Sequence, residues 1–581
     1  MRLLLTTTLA LAVSMTAGAQ SPLFEASKTA PRAATLDAKD TQGLHLNEAT
    51  FRRIRTERPS SLRIELALPH GETVITEWVA FSNLSADFSI GRQTVNGSVQ
   101  EAYCPGVYTY ELEHAVSSNG NTVSGDGFTG VLVVHRNRVL STMILDGHQW
   151  ELAPEVLDLR SQDLVQDYVL FDVAQSAGTN SFTCAVQDQH NRMNRMDRMQ
   201  RSLVRENANP DCVEIALDVD NYTFGTFGNN CNAAVDWAVG VLAGVDLIYR
   251  NELNDLITLQ ATYVNVWETP EPWANISNDA GNMLDSFRST WLTDSDLNAQ
   301  QRDFVHLMTR RGDSGTGGIA YLDGVCNSYG YGFSAGMSAA SDFIPLPSYS
   351  WNLDVVAHEL GHNFGSNHTH WCGWSGSADH PSGTAGGAID GCYGAEGSCS
   401  DGPSVSSGTI MSYCHTTSTG KTLVFHPLVE TYALEPGIEG AGCYTFCEEY
   451  TPPECAITGI SPGNQMACDP VTGLYTQQIF VSFEYPPADG FINVNGANWG
   501  FNFSPQAITI VGEPANGESV DVTAFFTTEE GCALSVPDAY TRRDPCCGNL
   551  RFSFVDPEAN ILRIRNVADC PADISGWGVL S

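Results

Sequence analysis

One stretch near the middle of the chain constrains its fold more than any other: Asp354-Val355-Val356-Ala357-His358-Glu359-Leu360-Gly361-His362-Asn363-Phe364-Gly365-Ser366-Asn367-His368. Leu353, Ala357, Leu360 and Phe364 recur one helical turn apart, so the segment is predicted to be a helix with an apolar stripe on a core. His358 and His362 are four residues apart and share a different face, one above the other. Two imidazoles in that register can hold one zinc ion, with Glu359 beside them to take a proton from its water. A catalytic zinc needs a third protein ligand and an open fourth position. Gly365 supplies the geometry, because glycine enters the left-handed conformation that ends a helix and lets the chain turn back. His368 is then the candidate third ligand. His370 is a rival by residue type but lies off the three-residue spacing from Gly365. A bare His-Glu-x-x-His can be a helix with two surface histidines, whereas this extended form, in a chain with 14 histidines, is far more specific.

At 581 residues the chain is too long for one hydrophobic core, and three or four folded units are expected. Its net charge is −38, which argues against a nucleic-acid partner because phosphates would be repelled over most of the surface. Met1-Arg2, an apolar run from Leu3 to Val13 and Ala17-Gly18-Ala19 read as a signal peptide over 1–19, cut before Gln20. That run is too short to span a bilayer, and no transmembrane segment is expected elsewhere. Seventeen cysteines fit an oxidising, extracellular compartment, and the odd total leaves at least one thiol without an intramolecular partner.

Residues 20–205 carry only Cys104 and Cys184, with short alternating or apolar runs that read as a β-rich unit. It closes on Arg192, Arg195, Arg198, Arg201 and Arg205, either a solvated helix face or an exposed processing linker. From about 211 the pattern turns α/β: strands at 213–219, 259–267, 304–308 and 318–322, helices at 233–256 and 282–291. Such alternation implies a twisted, mostly parallel sheet with helices packed on it, over 206–447. Residues 453–545 read as a small all-β sandwich-like domain and 546–581 as a further β segment.

These features resemble the metzincin metallopeptidases, whose pattern is His-Glu-x-x-His-x-x-Gly-x-x-His followed by a methionine turn. Gly408-Thr409-Ile410-Met411-Ser412-Tyr413 is similar to that turn, which makes Met411 an apolar floor beneath the imidazoles. Val213-Glu214-Ile215-Ala216-Leu217, Asp303-Phe304-Val305-His306-Leu307-Met308 and Gly318-Ile319-Ala320-Tyr321-Leu322 resemble strands of the adamalysin (reprolysin) branch, in a secreted bacterial-type precursor. The resemblance implies a metzincin catalytic domain after a β-rich prodomain, with the 318–322 strand as the edge that takes an extended substrate. It also implies a structural calcium at Glu214 and Asp303 and a pairing of Cys326 with Cys443. Cys372, Cys392, Cys399 and Cys414 would staple the insertion between His368 and Met411, in an order the sequence does not give. Two positions depart from adamalysins: Thr369 stands where an acidic residue is usual, and Tyr413 matches astacins and serralysins, where it helps bind metal or the oxyanion; plain packing is the other reading for it.

The activity implied is direct hydrolysis of polypeptides, with zinc activating a water and Glu359 carrying its proton to the leaving amine. Metzincin precursors often block the metal with a propeptide cysteine. Cys184 is the candidate and Cys104 the alternative, unless the two form a disulfide. Arg311-Gly312-Asp313 looks like an integrin-binding tripeptide, with coincidence the stronger reading. The segment around Phe425-His426-Pro427 would border the substrate pocket. A different class, a non-catalytic adhesion or binding protein with the protease domain as scaffold, is disfavoured by an intact set of three histidines and Glu359. Within the enzyme reading the C-terminal β modules are expected to bind a surface, a polymer or a substrate, with a plain structural appendage the equal alternative.

Overall fold

The structure, a computed structural model, describes residues 22–27, 41–103, 106–118, 120–123, 128–155, 160–161, 163–176, 184–187, 210–338, 349–374, 387–447, 455–469, 472–487, 490–501, 504–545, 550–559 and 561–566. The signal-peptide stretch, the five arginines and Cys104 lie outside them. The chain divides into two compact units, one of 1–101 and 107–450, the other of 102–106 and 451–581. Apart from 102–106, residues before 205 therefore share one unit with those from 206 to 447.

The first half of that unit is a nine-stranded antiparallel sheet. Its strands lie in the order Phe24–Ala26, Thr41–Leu46, Asp167–Asp172, His148–Pro154, Val139–Leu145, Gly130–Val134, Tyr108–Ser117, Thr73–Phe81, Ser61–Ala67. Alternation in Ser61–Ala67 puts Leu62, Ile64 and Leu66 inside, as period-2 patterning dictates. A helix not expected in this β-rich region, α1 (Glu48–Glu57), begins at Asn47, whose side chain accepts from Thr50 N. Phe51 and Ile54 of α1 join Trp78, Leu112 and Leu132 in the core of this sheet.

The second sheet has eight strands, labelled in chain order β1 (Leu84–Thr94), β2 (Gly97–Ala102), β3 (Cys184–Gln187), β4 (Asp211–Val219), β5 (Ile257–Trp267), β6 (Phe304–Met308), β7 (Gly318–Tyr321) and β8 (Tyr331–Ser334). They run β3-β7-β8-β6-β4-β5-β1-β2 across the sheet. The pairs β3–β7, β8–β6, β6–β4, β4–β5 and β5–β1 are parallel, and β7–β8 is antiparallel. Three of these strands precede residue 205. One of them, β3, covers the strand expected to be a free edge.

The longer helices of this half are α2 (Cys231–Glu252), α3 (Ala280–Thr293) and α4 (Tyr349–Asn363). The sequence-based bounds at 233–256 and 282–291 are off by a few residues, because asparagine and aspartate caps at Asn230 and Asp279 start both helices earlier. Phe287 and Trp291 of α3 pack with Trp273, Val305 and Phe333 on one face of the sheet. Among the described residues one helix, α2, is long and apolar enough to cross a membrane, but most of it is buried in this unit.

Disulfides Cys212–Cys447 and Cys326–Cys443 tie the end of the unit to its sheet, and Cys372–Cys399 and Cys392–Cys414 staple the insertion. Cys184 and Cys231 are free thiols, so the alternative disulfide between Cys184 and Cys104 is not formed.

In the second unit a three-stranded sheet and a four-stranded sheet share a core of Ile479, Val481, Ile508, Ile492, Val522 and Phe526, closed by Cys455–Cys532. A hairpin of Leu550–Asp556 and Ile561–Asn566 follows.

Candidate metal centre

Every residue of α4 is buried, not only its expected stripe. Besides α2, β7 and β8, the strands Val139–Leu145 and His148–Pro154 of the first sheet pack on it. Its first turn is held from that sheet. The fully buried Glu151 accepts from Tyr349 N and Ser350 N, both at 3.0 Å, and from the Ser350 hydroxyl. Its middle is held by α2, where the Tyr249 hydroxyl donates to Ala357 O at 2.8 Å. Gly365 has φ +97°, in the left-handed region that ends the helix and returns the chain.

That return brings His358, His362 and His368 together, all fully buried, with ring centroids 4.7–5.2 Å apart. Each ring is anchored through Nδ1: His358 to Ile410 O at 2.6 Å, His362 to Ser366 O at 2.7 Å, His368 to Glu396 Oε1 at 2.7 Å. Since those oxygens only accept, the protons sit on Nδ1 and all three Nε2 atoms present bare lone pairs. Nε2 of His362 and Nε2 of His368 face each other at 3.2 Å, and Nε2 of His358 has no hydrogen-bond partner among the described residues. Two lone pairs at that distance repel unless a cation lies between them. Two imidazole nitrogens ~2.0–2.1 Å from one tetrahedral zinc stand roughly 3.3 Å apart. The donor set therefore fits zinc. Burial, then repulsion from neighbouring imidazoles, holds His358 well below its usual pKa and His362 down to about 3, and burial lowers His368 against the opposing pull of Glu396, all in the direction of the neutral form that binds metal.

Glu359 is fully buried beside them, with the Cys184 thiol close to its carboxylate and no other hydrogen-bond partner for it among the described residues. Burial pushes it well above the carboxylate range, while the Cys184 thiol and Lys421 act in the opposite direction. Gly318 of β7 faces it so closely that a Cβ there would lie 2.4 Å from Oε1. Met411 lies under the site, where a Cβ on Gly361 would meet its Sδ at 2.6 Å. The turn is pinned by Lys421, whose Nζ lies 2.6 Å from Asp354 of α4 and donates to Ile410 O and Ser412 O. Thr369 bonds Met411 O through its N–H at 3.0 Å and its hydroxyl at 3.3 Å.

The Tyr413 hydroxyl lies 3.1 Å from His368 Nε2 and donates to the backbone oxygen of Cys184. Ligand atoms of Cys184, His358 and Glu359 lie within 4.8 Å of one another, so the free thiol reaches the same centre. His370 does not join the three rings. It lies flat on His368 and bonds Glu396 instead.

Other expected residues lie elsewhere. Glu214 accepts from the Gln301 amide at 2.7 and 3.0 Å and lines a cleft of about 450 Å³, while Asp303 accepts from Glu214 N at 2.9 Å. Among the described residues these two carboxylates belong to no cluster of three potential metal ligands. Arg311 is committed to Asp220 and Glu271, both at 2.9 Å, so the Arg-Gly-Asp tripeptide is tied into the fold. Phe425 is buried against Tyr249, with its N–H on Glu252. Glu151, Glu396 and Lys421 were not foreseen, for each acts across a long stretch of chain and carries no local pattern.

Residues 209–423 match the family model described as Reprolysin_5, metallo-peptidase family M12. The chain is similar to the snake venom metalloproteinase fibrolase of Macrovipera lebetinus, 29% identical over 161 residues, 27% of this chain and 73% of that protein. It is also similar to the human disintegrin and metalloproteinase domain-containing protein 9 (28% identical, 27% of this chain, 18% of that protein) and to the zinc metalloproteinase-disintegrin-like brevilysin H2a of Gloydius brevicauda (27% identical, 27% of this chain, 34% of that protein). The chain thus spans about a fifth to a third of the length of these last two. Among solved structures, metalloproteinase-II of Bacteroides fragilis matches 53% of this chain and 82% of its own at 14% identity, with a TM-score of 0.31.

Proposed function

From the match of residues 209–423 to the M12 reprolysin family model and the likeness to snake venom metalloproteinases, we propose a secreted zinc endopeptidase of the metzincin type, made as a latent precursor, that uses Glu359 as general base. The observation that carries the reading is the set of three Nδ1-anchored imidazoles whose Nε2 lone pairs converge beside the buried Glu359 carboxylate. His358, His362 and His368 hold the zinc, with Met411 as their floor. When bound, zinc supplies Lewis acidity to the scissile carbonyl and makes water acidic enough to lose a proton near neutral pH. Glu359 takes that proton and passes it to the leaving amine. With the Cys184 strand gone, the Tyr413 hydroxyl, whose proton Cys184 O accepts in this chain, would donate to the oxygen that gains charge.

Latency falls to Cys184, whose thiol lies beside His358 and Glu359. Its strand β3 also takes the edge of β7 that an extended polypeptide substrate would use. On this reading 1–19 is the signal peptide, 20–205 the propeptide, 206–447 the catalytic domain, 453–545 the sandwich-like domain that binds a surface or polymer, and 546–581 a further β segment. Calcium at Glu214 and Asp303 has the support of two neighbouring carboxylates alone.

The test is Glu359→Gln in the matured protein. Zinc content should stay at the parent level while casein cleavage falls by about 100-fold or more. Equal cleavage by parent and variant, or a parent without zinc, removes the proposal.

A further inference from the structure

The insertion between His368 and Met411 brings a carboxylate to the metal centre that the histidine pattern does not assign. Glu396 Oε1 accepts from His368 Nδ1 at 2.7 Å and from His370 Nε2 at 3.1 Å, beneath two rings stacked 4.9 Å apart with planes 6° from parallel. The backbone holds Glu396 in place: its N–H donates to His370 O at 2.9 Å, and its carbonyl accepts from Cys372 N at 3.0 Å. The Cys372–Cys399 disulfide closes the same two segments. His358 and His362 give their Nδ1 protons to neutral backbone carbonyls, so of the three rings His368 alone gives its proton to a carboxylate.

We propose that Glu396 is a positioning residue of the zinc site. Through Nδ1 it fixes the ring and tautomer of His368 so that Nε2 faces His362 Nε2, and the Cys372–Cys399 staple keeps it there. A carboxylate on the far nitrogen also raises the basicity of a ligating imidazole, and losing such a partner typically weakens metal binding about 10- to 100-fold. The proposal rests on His368 being a zinc ligand, and the test separates the two.

Zinc affinity of the full chain is measured by competition with a chromophoric chelator, alongside thermal unfolding of the metal-free protein. Glu396→Ala should weaken zinc about 10- to 100-fold with little change in metal-free unfolding. Glu396→Gln, which keeps an acceptor without charge, should recover part of the loss, and the Cys372→Ser/Cys399→Ser pair should shift affinity in the same direction as Glu396→Ala. If Glu396→Ala does not fold, Glu396→Leu fills the space without an acceptor and carries the measurement. Affinity within twofold of the parent overturns the proposal. So does loss of a second zinc equivalent, which would mean that His368, His370 and Glu396 hold an ion of their own. A parent that binds no zinc, and that His358→Ala leaves unchanged, sinks the zinc reading instead.

Discussion

At the scale of single residues, Gly318 is set against the proposed general base. It sits on β7 with no room for a side chain, because a Cβ would press on Glu359 Oε1 at 2.4 Å and on its Cδ at 2.6 Å. The atoms it meets are the tip of a flexible side chain, so the fold can yield while the carboxylate moves. Gly318→Ala is therefore expected to cut kcat on a peptide substrate by about 100-fold, the usual cost of misplacing a catalytic group by ~1 Å. Zinc content, measured by metal analysis, should stay at the parent level. Unchanged kcat, or zinc lost in parallel with activity, counts against Glu359 as the base. His358, Glu359, His362 and His368 were legible in the sequence because one helix turn and one glycine fix their spacing. Glu396 was not, since its contact with His368 depends on where a disulfide folds the insertion.

At the scale of elements, α4 shows what burial on every side demands. The apolar stripe on Leu353, Ala357, Leu360 and Phe364 predicts one packed face, and with only that face packed the first-turn N–H groups would be left to water. Covered by strands from the first sheet, those donors need a protein acceptor, and Glu151 supplies it to Tyr349 N and Ser350 N. Glu151→Ala leaves them buried and unsatisfied, so stability should drop by about 1–3 kcal/mol, read as a lower urea midpoint for the full chain. Glu151→Gln keeps one acceptor and should fall between. A midpoint unchanged in both variants would mean that the cap contributes nothing. The strands around this helix were mostly legible, 304–308 to the residue, because period and length settle short apolar runs between turn signals. Helix α1 was missed: it lies among β-patterned runs, and only its Asn47 cap marks its start.

At the scale of the whole molecule, the eight-stranded sheet draws strands from both sides of the arginine run. β3 lies on one edge and β1–β2 on the other. Side chains reinforce the far edge: Arg92 meets Glu268 at 2.6 Å, and Gln93 bonds the buried Asn265 at 3.0 Å. Cutting the chain within 188–209 therefore should not by itself release the N-terminal part. After limited digestion with a trypsin-like protease, the two fragments are expected to co-elute on size exclusion. Separation without denaturant would contradict the shared sheet. In the uncut chain, Cys184→Ala should raise casein cleavage above the parent; no increase would remove Cys184 from the latency account.

The sequence alone determined the helix that carries His358 and His362, the turn after it and the grammar of strands and helices that follows from 211. Those signals are local: helical period, a glycine free to adopt positive φ, and apolar runs of strand length. Tertiary structure alone decided that three strands and a helix cap from before residue 205 complete the sheet and helix α4, that Cys184 remains a free thiol near His358, and that Glu396 carries His368. Each is a contact between distant parts of the chain. Such contacts are selected by which buried donors and sheet edges would otherwise go unsatisfied, and that is settled only when the whole chain has packed.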